Sequence, residues 1–436
     1  MYHYLHLLTR QTPIFLQVTL LMYLLAQYQE HLVPKLHSLK HRQKQEQVIT
    51  QSTRRIASFQ DAVIGNGNRA RFLTDYQHHG VALLADANGS AMTRAKLLGN
   101  RRALGGRQDA TGRADLAVAD DDGTVVQQYY KKEPKAGNNV ETTIDIELQA
   151  VAEDALGRLM KDLTNPMVNT TQEGLDAEGD AVIVMDVKTG EVLACASYPT
   201  YDLSRFFQDY EIYAEDPYKP FYNRALMAAY PPGSTYKMNM VVASINSGAI
   251  NTTTTIEDKG TFTKYKGFTA NCLIWTASGG TQTHGSINAA EALMHSCNYF
   301  FYDIGDRLTM DQIDAVAKGF GLGEPTGAEL ETNIGYRANE ETKKLLHTGV
   351  DSYWYMADQI MASIGQSEHR YTPIQLCSYV AAVANKGTRY SATFLKRVVS
   401  ADYRELLLQN ETSVASVMDI SDDAYLAYSE GMQLVT

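Results

Sequence analysis

The hydrophobic pattern near the N-terminus is dominated by one apolar run, Pro13–Ala26. This run is shorter than the roughly 20 residues that span a bilayer, and Gln17 and Thr19 interrupt it. We interpret it as a membrane anchor, with an amphipathic or buried helix as the alternative. Most of the nearby basic residues follow the run, and by the positive-inside rule they would keep the rest of the chain cytoplasmic. We therefore expect either that this is not a lone signal anchor or that the natural N-terminus differs.

The next region is polar and weakly patterned. Residues 66–128 are rich in Gly, Asp and Ala, with short β-like runs at Val81–Leu84 and Thr124–Val126. This composition predicts a small, loosely built domain without a catalytic cluster, and the segment KKEPKAGNN (131–139) is a turn-rich boundary after it. We divide the chain into an apolar segment with a basic linker (1–48), a pedestal or dimerisation-like domain (49–139) and a main domain (140–436).

The main domain shows the patterns of regular helices and strands. Thr143-Ile144-Asp145 can cap a helix that continues to Leu159. Two apolar segments, Ala181–Met185 and Val192–Ala196, flank a glycine-containing turn, which predicts a β-hairpin. Helices and loops are expected after this hairpin, and Ser421 begins a final helix.

Charge and cysteine content exclude some classes of function. The net charge is -11, so the chain lacks the basic field that binds nucleic-acid phosphates. The four cysteines lie far apart, without a C-x-x-C or a Cys/His pair. We therefore expect no nucleic-acid partner, and the spacing indicates neither a zinc site nor a dense disulfide framework.

A candidate nucleophile lies in the segment YPPGSTYK (230–237). Two prolines and a glycine force a turn, and the apolar segment Met238–Ala243 after it reads as a buried helix. Ser234 then lies at a helix N-terminus, and Lys237 lies three residues later on the same face, within reach of the hydroxyl. A buried lysine can act as the base that activates a serine. The alternative, a helix cap and a surface charge, describes most bare S-x-x-K sequences.

A site of this kind also needs a second hydroxyl and an amide from elsewhere in the fold. Three S-x-N triplets are candidates for them. Ser244-Ile245-Asn246 lies more than two helical turns from Ser234. Ser286-Ile287-Asn288 is explained by a capping box between Asn288 and Glu291. Ser296-Cys297-Asn298 lies between two apolar segments, so we expect Ser296 and Asn298 to line a cleft.

The order of these motifs resembles the transpeptidase domain of class B penicillin-binding proteins. The resemblance is strong from about residue 140 to 399 and looser over residues 68–89, which are similar to the start of the family's pedestal domain. The segments that carry it are YPPGSTYK (230–237), HGSINAAEALMHSCNYFF (284–301), TTIDIELQ (142–149), MDVKTGEVLA (185–194), GLGEPTGAEL (321–330), SIGQ (363–366) and TPIQL (372–376).

The resemblance implies an α/β fold of the serine β-lactamase and penicillin-binding transpeptidase kind, with a sheet between helices. It implies a peptidoglycan D,D-transpeptidase that cross-links D-Ala–D-Ala stem peptides through a serine acyl-enzyme and binds β-lactams. Ser234 would be the nucleophile and Lys237 its base, Ser296 would relay the proton, and Asn298 would bind the substrate amide. No metal or organic cofactor is implied.

The same resemblance places the protein at the bacterial cell membrane, with its catalytic domain outside the cytoplasm. Its partners would be proteins of a cell-wall synthesis complex that serves cell division or cell shape. Both expectations depend on the family and on the apolar run Pro13–Ala26.

One motif of the family departs from its expected position. The family's third motif, Lys-Thr-Gly, should follow the S-I-G-Q segment, but the only such triplet is Lys188-Thr189-Gly190, in the turn of the predicted hairpin. Turns favour glycine, so we interpret this triplet as a turn. We expect that the chain is truncated before the third motif, which would leave the fold incomplete at the C-terminus and this chain a weak or inactive enzyme.

Two other classes of function remain open at this point. One is a β-lactam-hydrolysing or β-lactam-sensing protein of the same fold, which differs in how fast a penicilloyl adduct is released. The other is a non-catalytic scaffold of the wall or division machinery, in which Ser234 would not be acylated.

Overall fold

The structure is a computed structural model that describes residues 137–170 and 174–435, and four short strands before them. These four form two antiparallel pairs, β1 (Arg71–Leu73) with β2 (Ala82–Leu84) and β3 (Asp115–Ala119) with β4 (Val125–Tyr130). The β-like runs expected at Val81–Leu84 and Thr124–Val126 therefore do contribute to strands. The domain boundaries at residues 48 and 139 stay a prediction, since most of the chain before residue 137 lies outside the description.

Helices and strands alternate through the main domain. Its helices are α1 (Ile146–Leu163), α2 (Tyr210–Glu215), α3 (Arg224–Met227), α4 (Lys237–Asn246), α5 (Leu273–Ala277), α6 (Ala289–Met294), α7 (Asn298–Arg307), α8 (Met310–Gly319), α9 (Glu340–Leu346), α10 (Met356–Ala362), α11 (Pro373–Ala384) and α12 (Asp422–Leu434). Its strands are β5 (Asn139–Thr142), β6 (Asp180–Met185), β7 (Val192–Tyr198), β8 (Ile256–Asp258), β9 (Thr261–Phe262), β10 (Ala270–Asn271), β11 (Gly285–Ile287), β12 (Thr388–Tyr390), β13 (Leu395–Val399), β14 (Leu406–Gln409) and β15 (Val414–Val417).

The predicted hairpin is confirmed as the antiparallel pair β6–β7. Successive side chains of a strand point to opposite faces, and here both faces are covered. Val182 and Val184 pack with residues of α1, whereas Ala181 and Ile183 pack with Ile374 and Cys377 of α11. The sheet thus lies between helices, as expected from the sequence.

Two helix ends follow the predicted capping chemistry. The Asp145 side chain accepts the backbone N–H groups of Glu147 and Leu148 at the start of α1. The Ser421 hydroxyl accepts the N–H of Ala424 at the start of α12. Both helix starts were therefore readable from a single polar residue.

The expectation of only helices and loops between the hairpin and residue 399 is wrong. The strands β8 to β13 lie in this region, and β13 joins β5 and β14 in an antiparallel sheet. Most of these strands have two or three residues, which is too short to show an alternation of apolar and polar positions.

The candidate nucleophile helix α4 runs through the largest apolar core. Its residues from Lys237 to Ile245 are all buried, and α7, α8 and α12 pack around it. A helix enclosed on all sides holds its first turn rigidly, which positions any side chain that projects from that turn.

No helix among the described residues is long and apolar enough to cross a membrane. The apolar run Pro13–Ala26 lies outside those residues.

Candidate active site

Ser234 lies in a 3₁₀ turn, Gly233–Tyr236, that leads directly into α4. The turn is fixed from the other side by the segment after α10. Gly233 N donates to Gly365 O at 2.9 Å, and Tyr230 exchanges two backbone hydrogen bonds with Tyr371. Ser234 itself is exposed, so the fold presents its hydroxyl to solvent from a fixed backbone.

Ser296 is positioned by the way α6 ends. Ser296 N donates to Leu293 O and Cys297 N donates to Ala292 O, which together form a Schellman motif after the C-cap His295. Ser296 occupies the left-handed position of this motif with a φ of 49°. A residue other than glycine is strained there, by about 1 kcal/mol, so the surrounding contacts must hold it.

The four predicted site residues meet in one hydrogen-bonded chain. Ser296 Oγ donates to Ser234 Oγ at 2.9 Å. Lys237 Nζ donates to Ser296 Oγ at 3.0 Å, to Ser296 O at 2.9 Å and to Asn298 Oδ1 at 2.6 Å. The expected proximity of Ser296 to Ser234 is confirmed. Within the described part of the chain, Lys237 reaches Ser234 through Ser296 rather than directly.

Lys237 is buried although it carries an ionisable group, since only 1% of the residue is exposed. Burial lowers the pKa of its ammonium group from 10.5 to about 8. The three acceptors satisfy the ammonium form, and the lowered pKa makes the neutral amine accessible near physiological pH. The group can therefore take up and return a proton at this position.

The rejected triplets have other roles in the structure. Ser244 is buried within α4 and its hydroxyl donates to Val241 O at 3.1 Å. Asn288 and Glu291 form the expected capping box of α6. The choice of the Ser296 triplet therefore agrees with the geometry.

The early Lys-Thr-Gly triplet forms the turn of the hairpin, as expected. Asp186 Oδ1 accepts the N–H groups of Lys188 and Thr189 at 2.8 and 2.9 Å, which is an Asx-type turn. Lys188 Nζ donates to Asn385 Oδ1 at 2.8 Å, which links the turn to the C-terminal end of α11.

A sequence profile described as the penicillin binding protein transpeptidase domain matches residues 181–436. This chain belongs to that family. The match begins at the hairpin strand β6 and includes the nucleophile turn and the Ser296 triplet. The α/β class expected from the sequence is thus the fold of this family.

Curated proteins that are similar to this chain are named peptidoglycan D,D-transpeptidases. The peptidoglycan D,D-transpeptidase MrdA of Salmonella typhimurium is 31% identical over 283 residues, 64% of this chain and 41% of the relative. The D,D-transpeptidase PbpA of Mycolicibacterium smegmatis is 29% identical over 274 residues, 61% of this chain and 50% of the relative. The chain spans about two fifths of the length of the MrdA relatives that it matches.

Solved structures of the family share the fold. Pseudomonas aeruginosa PBP2 is 25% identical, with a TM-score of 0.55 over 69% of this chain and 62% of that chain. Mycobacterium tuberculosis PBPA is 22% identical, with a TM-score of 0.56 over 69% of this chain and 64% of that chain.

A second cluster of reactive side chains lies next to the Ser234–Lys237 site. We call it the donor cluster; one donor atom of each member lies within 4.8 Å of those of the others. Its members are Asp258, Cys272, His284 and Cys297. Three of them are buried, and Cys297 stands between Ser296 and Asn298 in the chain.

The distances that involve a thiol in the donor cluster match those of tetrahedral zinc ligands, whereas His284 Nδ1 and Asp258 Oδ2 are hydrogen-bonded at 2.8 Å and would have to separate by about 0.5 Å. Bonds of about 2.3 Å from zinc to sulfur place two thiolates about 3.8 Å apart. Cys272 Sγ and Cys297 Sγ are 3.7 Å apart, and Cys272 Sγ is 3.5 Å from His284 Nδ1. Cys297 Sγ is 3.6 Å from Asp258 Oδ2. The cluster can therefore hold a zinc ion with little movement.

The cysteine spacing gave no indication of this cluster, because its members lie on β8, α6–α7 and loops between them. The hydrogen bond from Cys297 lowers the pKa of the Cys272 thiol, against the effect of burial. A thiolate is the form that binds metal. One local signal existed in the sequence, since Cys297 is a cysteine in the middle of the predicted Ser296 triplet.

Proposed function

We propose that this protein is a peptidoglycan D,D-transpeptidase in which Ser234 forms an acyl-enzyme. The observation that carries the proposal is the chain of hydrogen bonds from Ser234 through Ser296 to the buried Lys237. The family and the curated relatives support this reaction class.

In the acylation step, neutral Lys237 takes the Ser234 proton through the Ser296 hydroxyl. Ser234 Oγ then attacks the carbonyl carbon between the two D-Ala residues of a stem peptide, and the first backbone N–H groups of α4 favour the developing negative charge. The C–N bond breaks, and the departing D-Ala amine receives the proton back through Ser296. Asn298 donates its amide N–H to the substrate.

In the transfer step, an amine of a neighbouring stem peptide attacks the Ser234 ester. Its proton passes to Lys237 and returns to Ser234 as the ester bond breaks. A β-lactam enters the same first step, because its strained amide is attacked in place of the D-Ala–D-Ala bond.

The test is labelling of the full-length protein with a fluorescent penicillin. Ser234→Ala removes the nucleophile, so labelling should vanish, because members of a nucleophile–base unit act together. Ser286→Ala is the matched control, since it removes an exposed serine from another S-x-N triplet and should label fully. Equal labelling of both variants would refute the assignment.

The rate of adduct release separates the alternatives. A transpeptidase holds the penicilloyl ester for many minutes, whereas a β-lactam-hydrolysing protein releases it within seconds. A non-catalytic scaffold forms no adduct at all.

We further propose that the protein acts at the bacterial membrane with its catalytic domain outside the cytoplasm, as the family resemblance implies. Because the basic residues after Pro13–Ala26 favour the opposite orientation, this run alone would not set the topology. Outside the cytoplasm, the domain would meet peptidoglycan stem peptides and proteins of a cell-wall synthesis complex. Protease protection of the domain in intact spheroplasts would contradict this placement, whereas digestion would support it.

We also propose that the donor cluster binds zinc as a structural ion. Two thiolates, an imidazole and a carboxylate suit zinc, and four protein ligands leave no open position for chemistry. Cobalt substitution should give the thiolate-to-cobalt absorption band, and Cys272→Ser should reduce it. A Cys272–Cys297 disulfide in freshly purified protein would contradict the proposal.

A further inference from the structure

The junction between Ser234 and Lys237 is irregular. The 3₁₀ turn ends at Tyr236 and the α-helix begins only at Lys237, whose N–H donates to Ser234 O, three residues back. In a continuous α-helix, the N–H of Asn239 would donate to Thr235 O. The nucleophile and its base therefore lie on two sides of a change in helix type.

A side chain from another helix lies at this change. Tyr379 Oη, from α11, donates to Thr235 O at 3.1 Å and accepts from Asn239 N at 3.1 Å. These are the two backbone groups that a continuous α-helix would join to each other. The hydroxyl is inserted between them, and insertion of a side chain into a helical ladder is a recognised cause of irregular helices.

The inserted hydroxyl is built into the core. Tyr379 is fully buried, and burial raises the pKa of its hydroxyl, which therefore stays protonated and able to donate. Without it, the N–H of buried Asn239 and the carbonyl of half-buried Thr235 would be unpaired or would have to join each other.

The type of helix affects the alignment of the two catalytic side chains. Residues three apart are eclipsed in a 3₁₀ turn, with three residues per turn, but are rotated by about 60° in an α-helix. The 3₁₀ geometry thus brings Ser234 and Lys237 over each other, where Ser296 can bridge them.

We infer that Tyr379 is a positioning residue for acyl transfer: its hydroxyl holds the Thr235–Asn239 junction open and so keeps Ser234 aligned with Lys237 and Ser296. This inference rests on the proposed function of Ser234. Tyr379 touches neither Ser234 nor Lys237 through its hydroxyl, so it acts through the backbone.

The test is Tyr379→Phe in the full-length protein, with Tyr428→Phe as the matched control. Tyr428 is also buried, and its hydroxyl donates to a backbone carbonyl, Val383 O, at 2.9 Å. The two variants lose one buried hydroxyl each, so their melting temperatures should fall alike. Only Tyr379→Phe changes the nucleophile junction.

Stopped-flow labelling with fluorescent penicillin separates the dissociation constant Kd from the acylation rate constant k2. For Tyr379→Phe, we expect k2 to fall about ten- to hundredfold, because small misplacements of reacting groups have effects of this size. We expect Kd to change less than twofold. A k2 within threefold of that of Tyr428→Phe would overturn the inference.

A crystal structure of Tyr379→Phe gives an independent readout. We expect Asn239 N to donate to Thr235 O at about 2.9 Å, which extends α4 toward Ser234. An unchanged 3₁₀ turn would overturn the inference. If wild-type protein is not acylated, the proposed function fails, whereas this structural result still decides whether Tyr379 holds the junction.

If Tyr379→Phe does not fold, 4-aminophenylalanine at position 379 replaces it in the same assays. Its amine keeps a donor for Thr235 O but accepts only weakly from Asn239 N. We expect an intermediate k2; a wild-type k2 together with loss of the Asn239 contact would overturn the inference.

Discussion

The serine–lysine site and the donor cluster share one turn of the chain, but their side chains point in different directions and differ in exposure to solvent. In the triplet Ser296-Cys297-Asn298, the outer two side chains contact Lys237, whereas the thiol of Cys297 contacts Asp258 and Cys272. The first site opens to solvent at Ser234, and the second is mostly enclosed. In this turn, Ser296 and Asn298 thus face the serine–lysine site, whereas Cys297 between them packs into the donor cluster.

The donor cluster offers a way to hold the strained backbone of Ser296. Ser296 has a left-handed backbone, and the residue after it is held by contacts with Cys272 and Asp258 of the donor cluster. We therefore expect substitutions at the serine–lysine site to lower activity, and substitutions in the donor cluster to lower stability.

The largest expected effect is on activity, from Lys237→Ala. Loss of the base should lower the acylation rate constant by about 10²–10⁴-fold, while zinc content stays that of the wild type. Lys188→Ala, in the hairpin turn, is the control and should acylate normally. Acylation of Lys237→Ala within fivefold of the wild type would break the assignment of the base.

The next effect is on stability, from removal of metal. A chelator should lower the melting temperature on the order of 10 °C, because an ion present at about a thousand times its dissociation constant stabilises by about 4 kcal/mol. Cys297→Ser should show no chelator effect, whereas Cys377→Ser, a buried thiol outside the cluster, should show the full one. Chelator sensitivity in both variants would argue against the donor cluster.

A smaller effect on activity is expected from Gly365→Ala. A Cβ at this position would lie 2.1 Å from Gly233 O, so the nucleophile turn must shift. We expect acylation to fall about tenfold or more. Gly349→Ala is the control, since Gly349 also has a positive φ but has no atom near its Cβ position. Equal rates in the two variants would show that the turn tolerates displacement.

The smallest effect is that of pH. Only the neutral amine of Lys237 can accept a proton, and its pKa is lowered to about 8. The neutral fraction rises from about 10% at pH 7 to about 90% at pH 9, so acylation should rise roughly tenfold with pH over this range. A flat profile, measured with a penicillin stable at these pH values, would contradict the role of Lys237 as base.

The fold was predictable where one local pattern decides the element. Asp145 marks the start of α1, and two apolar segments around a glycine turn give the β6–β7 pair. The strands β8 to β10 were not predictable, because strands of two or three residues depend on pairing partners that lie distant in sequence or across irregular loops.

The serine–lysine site and the donor cluster also differ in how far a local sequence pattern predicts them. Ser234 and Lys237 are three residues apart, the position of the Ser296 triplet between two apolar segments singled out Ser296 and Asn298, and the resemblance to a family supplied their roles. In the donor cluster, Asp258 and Cys297 lie 39 positions apart in the sequence, with no spacing pattern between the members. The hydroxyl of Tyr379 lies 144 residues from the carbonyl that it contacts, so only the fold reveals it.

The acyl-enzyme at Ser234 is tested most directly by mapping the penicillin adduct by mass spectrometry after trypsin digestion of the full-length protein. The peptide from Ala225 to Lys237 contains Ser234 as its only serine. We expect one penicilloyl group per protein, fragment ions that place it on Ser234, and no adduct in Ser234→Ala. An adduct on the peptide that contains Ser286 and Ser296, or an adduct that survives in Ser234→Ala, would contradict it.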